Sequence, residues 1–386
     1  MPRRGCAHGA EVQFFRADPA AFEDEVTLRA LLVLLITGAV SVAAPLAGLA
    51  AAGMPFAAYL DFPPRTVAAA HAPFSWAVFA ALSLPAAAGV ALIAFVLWRA
   101  RAPGRAVLRR FPWWGWIGAA LVALGWLAAW TEGVVPAEWR RQAFTVLWVG
   151  AIVLMNALAC RRAGHAPLTH RTAWFLALFP ASAAMWWLFE YLNQFARNWY
   201  YAGVVASGDC DYFLQATLPF STVLPALASM QACLATYMRS ESVAFARVRA
   251  RRWLAPACLA CGVAALGAMP VWPETFFSAL WLAPLAVLAG LQALVLRESY
   301  FAPLARGDWR CVAQPALAAL ACGFLWELWN YGSLAKWHYS IAFVQRFHLF
   351  EMPLLGYAGY LPFGVFCALV MNLVLDADQE APRERT

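Results

Sequence analysis

The sequence predicts an all-α, polytopic membrane protein of about ten transmembrane helices, two at the N-terminal end followed by a four-helix unit that occurs twice in tandem. Three observations predict it: a composition too apolar for a water-soluble domain, arginines that fall on alternate inter-helix loops, and a set of residues that recurs 133 to 142 positions further along the chain.

Of 386 residues, 63% are hydrophobic, 15% aromatic and only 13% charged, with a mean hydropathy of +0.62. A soluble globular chain is nearer half apolar and a quarter charged. This excludes a soluble two-domain enzyme. The formal net charge of +7 implies no nucleic-acid partner, because membrane proteins concentrate Arg in short cytoplasmic loops for topological reasons. Residues 1–26 are polar and acidic before the first apolar run, unlike the short cationic region and small-residue site of a cleavable signal peptide. Of nine Cys, only Cys210 falls in an outward-facing loop, so no disulfide framework is expected. Cys258 and Cys261 form a CxxC inside an apolar run with no second pair or His nearby, which reads as helix packing.

Apolar runs long enough to cross about 30 Å of hydrocarbon, roughly 20 residues each, fall at 27–52, 73–98, 113–130, 143–160, 173–192, 213–238, 253–270, 276–296, 311–331 and 351–375. The chain then divides into a tail at 1–26, two N-terminal helices at 27–98, four-helix repeats at 113–238 and 253–375, and a second tail at 376–386. With the N-terminus inside, the inner segments collect 21 basic residues, among them Arg3, Arg4, Arg16, Arg99, Arg105, Arg109, Arg161, Arg239, Arg251, Arg306, Arg383 and Arg385. The outer segments hold six: Arg65, Arg140, Arg141, Arg197, Lys336 and Arg346. One missed span would scramble this alternation, so both termini are expected on the cytoplasmic side. The outer segments are short, aromatic and Pro-containing, as suits residues anchored at a membrane interface.

Self-similarity links residues 113–237 to 253–375. Trp130-Thr-Glu132 matches Trp272-Pro-Glu274, and Phe144-x-x-Leu147-Trp148 matches Phe277-x-x-Leu280-Trp281. Glu190-x-x-Asn193, followed by Trp199 and Tyr200, matches Glu327-x-x-Asn330, followed by Trp337 and Tyr339. Pro225 lies 35 residues after Glu190 and Pro362 lies 35 after Glu327. An even number of helices per copy keeps both copies in one orientation, related by an axis along the membrane normal.

Glu190 and Glu327 stand near the outer ends of their helices. An Asn three residues on shares the Glu's face, so carboxyl and amide can hold one ligand or each other. Glu132 and Glu274 begin outer loops at similar depth. Ionisable groups near hydrocarbon are costly and mark function by default. Glu190 and Glu327 are therefore the candidate catalytic residues, as general acids. Asn193, Asn330, Trp199, Trp337, Tyr200, Tyr339, Glu132 and Glu274 are the candidate ligand-binding set. Asp211 and Glu351 precede inbound helices and read as N-terminal caps. His338 and His348 share one loop with Lys336 and Arg346, a weak metal pattern that suits interfacial or ligand phosphate contact equally well. Gly356 and Gly359 read as close helix packing. No metal site and no cofactor is expected: phosphate-binding, zinc-protease, nucleophile-elbow and dinucleotide motifs are all missing from the sequence.

On WELWNYGSLAKWHYSIAFVQRFHLFEMPLLGYAGYLPFG and YLDFPPRTVAAAHAPFSW, the chain resembles a group of bacterial polytopic inner-membrane proteins. That resemblance implies a multi-pass inner-membrane location, not a chemistry. More loosely, it is similar to the membrane-embedded carotenoid hydratase and lycopene cyclase enzymes, in which a helix-end Glu, an aromatic-Tyr stretch and a Pro-containing next helix recur; Glu327, Tyr339 and Pro353 match in type and order. The function expected is binding, with or without modification, of an amphipathic or isoprenoid-type lipid in an outward-facing cavity lined by Trp and Glu. The alternatives are a proton- or cation-coupled transporter, against which the helix centres hold few polar side chains beyond Asn156, Gln292 and Gln314, and a structural or accessory membrane subunit.

Overall fold

The computed structural model describes residues 19–101, 108–133, 135–238 and 244–374, with side chains from residue 27 onward. Most of both tails, carrying Arg3, Arg4, Arg16, Arg383 and Arg385, lies outside the described residues, as do Arg105 and Arg239. The architecture is helical, and eight helices are long and apolar enough to cross a membrane.

The first five are α1 (Pro19–Ala51), α2 (Trp76–Ala100), α3 (Trp113–Trp130), α4 (Ala137–Ala163) and α5 (Thr172–Ala196). Helix α4 begins six residues before its apolar run, directly after Pro136, whose fixed backbone starts a helix well. Arg140 and Arg141 therefore stand on α4 and not in a loop. Along α5 the buried residues Trp174, Phe175, Leu178, Ser182, Met185, Phe189, Leu192, Asn193 and Ala196 recur every three or four positions. That spacing makes one inward stripe, and it carries Glu190 and Asn193 inward with it.

The sixth expected span is broken into α6 (Asp209–Phe220) and α7 (Val223–Ala235). Pro219 and Pro225 flank the break and cannot donate backbone hydrogen bonds. Ser182 of α5 repairs it: its hydroxyl donates to Phe220 O at 2.6 Å and accepts from Leu224 N at 3.1 Å. Freed backbone groups inside an apolar layer need such a partner. The seventh and eighth expected spans are the helices α8 (Leu254–Ala268) and α9 (Ala279–Val295), of 15 and 17 residues. Both are shorter than the roughly 20 residues that span hydrocarbon. Helix α10 (Arg310–Tyr331) and α11 (Tyr360–Leu373) complete the bundle, α11 continuing a short helical turn at Leu354–Gly359.

Without a hydrophobic drive between helices, close backbone approach does the packing. A Cβ on Gly118 would meet Leu154 N of α4 at 2.7 Å, so only glycine lets α3 lie this near α4. The α8–α9 hairpin uses Gly262 against Ala283 O in the same manner. Helix α2, by contrast, buries only Ile93, Val96 and Ala100, and so stands at the rim.

The loops separate into two groups. At one end, Ser75 N donates to Phe343 O, Ser340 N to Asn198 O, and the Asn198 side chain to Phe277 O. At the other, Arg109 N donates to Arg161 O, Phe245 N to Gly307 O and Val248 N to Leu304 O. These are the loops that the arginine alternation assigns to opposite sides. Two short strands, β1 (Trp199–Ala202) and β2 (Lys336–Tyr339), pair antiparallel at the first end. There β3 (His348–Leu349) also pairs with β4 (Met352–Pro353).

Candidate functional site

The ladder between β1 and β2 sets Trp199 opposite Tyr339, Tyr200 opposite His338 and Tyr201 opposite Trp337. Side chains alternate along a strand. Trp199 and Tyr201 therefore share one face with Trp337 and Tyr339, and all four line a cavity of about 160 Å³. Tyr200 points to the other face and stacks on the His338 ring, centroids 5.6 Å apart. The lining tyrosine of β1 is thus Tyr201 and not the expected Tyr200. The period of two in Trp-x-Tyr, present in both strands, was the signal that identifies it.

The wall is completed by Trp186, Trp281, Trp326 and Tyr360. Its polar members come from α4 and α6: Arg141, Gln142, Thr145 and Gln215. Trp148 packs on Trp326, centroids 5.2 Å apart, while Trp281 packs on Phe189 at 5.4 Å and Trp199 at 5.7 Å.

Behind this aromatic wall stand the two carboxyls. Glu190 is 1% exposed and Glu327 0%. Glu190 Oε1 accepts from Trp186 Nε1 at 3.0 Å, Trp199 Nε1 at 3.1 Å and the Tyr201 hydroxyl at 2.6 Å. Glu327 Oε1 accepts from the hydroxyls of Tyr339 at 2.7 Å and Tyr360 at 2.9 Å, and Trp337 Nε1 donates to the Tyr339 hydroxyl at 2.9 Å. Its other oxygen, Oε2, is buried with no hydrogen-bond partner among the described residues. Burial first, and the adjacent carboxyl second, push the Tyr201 and Tyr339 phenols well above their ordinary range, so both stay protonated and donate inward.

Beyond the donors of its own strand, each Glu takes one more from a different place: the Trp186 indole for Glu190 and the Tyr360 hydroxyl for Glu327. Four residues before Glu190 stands Trp186; four before Glu327 stands Gly323. A Cβ at Gly323 would overlap the Tyr360 ring. The missing side chain makes the room that Tyr360 fills. At the position matching Tyr360, 35 residues minus two after Glu190, stands Val223, also in the cavity wall.

Asn193 and Asn330 serve the backbone. Asn330 donates from Nδ2 to Trp337 O at 2.8 Å and accepts Trp337 N at 2.9 Å. Asn193 donates to Trp199 O at 2.8 Å and Thr66 Oγ1 at 3.2 Å, and accepts Asn198 N at 2.9 Å. Each amide fixes the Trp that begins a Trp-x-Tyr face. Glu132 is 88% exposed, with Arg140 at 3.9 Å, and stands away from the cavity wall. Glu351 binds Lys336 at 2.6 Å and His338 at 3.0 Å across the loop, where an N-terminal cap was expected. His348 lies 3.1 Å from the Gln345 amide.

Glu274 holds down the segment that joins α1 to α2. His71 Nδ1 lies 2.8 Å from its Oε1, and Ala72 N donates to its Oε2 at 3.0 Å. The other His71 nitrogen lies 3.2 Å from Arg197 O. Further along, Ser340 Oγ donates to Ala69 O and the Tyr59 ring stacks on Phe195. The segment is a strap across this end of the bundle. Burial pushes the Glu274 carboxyl up, but the Ala72 N–H, the His71 ring and the nearby Arg197 outweigh it and hold the group below the ordinary carboxylate range. A depressed carboxyl contributes stability above its unfolded pKa, and that contribution disappears as pH falls through its folded value. Melting temperatures of wild type and Glu274→Gln are therefore expected to differ at neutral pH and to converge below the ordinary carboxylate range; a constant gap across that range would contradict the latch.

Fold and site together define a helical, apolar, membrane-embedded type of protein with a buried aromatic cluster around two carboxyls. No protein-family model matches the chain, and neither a curated protein nor a solved structure shows significant similarity to it.

Proposed function

We propose that the protein is a multi-pass inner-membrane protein of bacterial type that binds an amphipathic or isoprenoid-type lipid in the cavity between β1, β2 and the helix ends. The observation that carries this reading is the aromatic cavity with a buried carboxyl behind each Trp-x-Tyr face. An apolar cavity of about 150 Å³ stays dry and accepts a benzene-sized guest. The space at hand therefore suits one isoprene-sized unit or a small headgroup, the remaining chain lying outside. Glu190 and Glu327 act on the ligand through Tyr201 and Tyr339, the hydroxyls between carboxyl and cavity. In the enzymatic form of this reading, the Tyr339 or Tyr201 hydroxyl turns to the cavity, passes its proton to a ligand alkene and takes one from a protonated Glu327 or Glu190; an adjacent C–H of the resulting cation then returns a proton to the carboxylate, so the double bond shifts and nothing else is consumed. The unpartnered Glu327 Oε2 supports it, since folded proteins seldom keep a buried polar atom unsatisfied without use.

We also propose ten crossings and the duplicated four-helix unit, with both termini cytoplasmic. In support, the loops group by the arginine rule. The two Trp-x-Tyr faces meet across their own ladder, and Trp148 and Trp281 each pack on the Glu-bearing helix of the opposite half. Transport finds less support: Asn156 is tied to Ser229 and Leu168 N, and Gln292 to Asn372 and Tyr300 N.

The test is mass spectrometry and an absorption spectrum of small molecules extracted from gently purified protein, wild type against Glu190→Gln/Glu327→Gln. A specific lipid or pigment held by wild type and lost from the double variant is the expected result. Bulk phospholipid alone in both would overturn it.

A further inference from the structure

We infer that the ligand of the cavity carries an anionic headgroup, a phosphate or a carboxylate, held by Arg141, with its apolar body between the Trp-x-Tyr faces. This rests on the lipid-cavity reading above and names the chemical class of that lipid.

Arg141 is the one charged side chain in the described wall of the cavity. It is half-buried, its Nε is closed off from solvent, and that atom has no hydrogen-bond partner among the described residues. At the same end Arg65 is matched by Asp209 at 2.8 Å and Lys336 by Glu351 at 2.6 Å, while Arg346 lies over the Phe74 and Trp76 rings. Among the described residues Arg141 pairs with no acid. Removing a cation from water without a counter-charge is costly. A largely aromatic wall that includes one is shaped for an anion supplied from outside.

A guanidinium is a planar fork that fits two oxygens of a phosphate or carboxylate at once. Gln142 and Thr145, beside it and one turn on, add neutral hydrogen-bonding groups in the same stretch of wall.

Full-length protein in a non-ionic detergent, followed by tryptophan fluorescence, tests this, because Trp199, Trp281, Trp326 and Trp337 face the cavity. Three probes are titrated: farnesyl phosphate, farnesol and inorganic phosphate. Farnesyl phosphate is expected to bind on the order of tenfold more tightly than farnesol, and inorganic phosphate alone to give no saturable change. Arg141→Gln removes the preference, so that farnesyl phosphate binds no more tightly than farnesol does to the same variant, whereas Arg141→Lys, which keeps the charge but not the fork, retains part of it. Equal binding of the two isoprenoids overturns the anionic headgroup but leaves the lipid cavity. Binding of neither overturns both. A preference that survives Arg141→Gln removes Arg141 from the role, and saturation by inorganic phosphate alone makes a free anion, not a lipid, the ligand.

Discussion

Gly323→Trp alone is expected to lower the apparent melting temperature of the purified protein by about 5 °C or more, and adding Tyr360→Val to restore most of that loss. Overpacking a filled interior costs about 1 to 3 kcal/mol and occasionally more, and each kcal/mol moves the midpoint of a large domain by roughly 2 to 4 °C. At Gly323 even a methyl group would overlap the Tyr360 ring, so an indole must expel it and break its 2.9 Å bond to Glu327. The double variant recreates the arrangement of the first half. There, Trp186 reaches Glu190 from one turn earlier on the same helix and Val223 stands where Tyr360 would be. The indole then replaces the Tyr360 phenol as the donor from outside β2, and Glu327 Oε1 keeps two donors. Additive damage from the two substitutions, read as melting curves in a double-mutant cycle, would show that the two halves do not exchange these parts.

Much of the frame was legible in the residues. Loops that arginine placement groups together meet at one end of the bundle, as charge asymmetry responds to the membrane and not to the details of packing. Glu190 and Glu327 stood out because a carboxyl inside an apolar run has few reasons to be there. What escaped had a different physical origin. Hydropathy measures length, so it ran 213–238 as one helix, although Pro219 and Pro225 let α6 and α7 break at Ser221 and Thr222. It stopped short of Arg140 and Arg141, because a helix continues into polar sequence wherever Pro136 starts it. The strap was invisible for a further reason: His71, Ala72 and Glu274 are 202 or more positions apart, and no local pattern encodes such a contact. The Gly323–Tyr360 exchange lies between these cases. Both residues could be aligned with Trp186 and Val223, yet only the ring beside the glycine gives the pairing meaning.

Asn193 and Asn330 bring the same lesson to a testable point. Their three-residue spacing from a Glu suggested an amide that orients the ligand. In the fold the amide is already occupied: Asn330 takes both the carbonyl and the N–H of Trp337, and Asn193 takes Trp199 O with Asn198 N. Each stands in for a neighbouring strand and fixes where the Trp-x-Tyr face begins. Replacing either by Ala leaves two or more backbone groups unpaired in a buried place, at about 1 to 3 kcal/mol each. Asn330→Ala is therefore expected to cost about 2 to 4 kcal/mol and to speed hydrogen exchange at Trp337 N. Asn330→Asp does no better, because a carboxylate cannot donate to Trp337 O. Ligand binding falls in both variants in proportion to the lost order of β2. If instead Asn330→Ala melted like wild type, kept Trp337 N protected and lost only the ligand, the amide would belong to the binding surface and the clamp would be incidental.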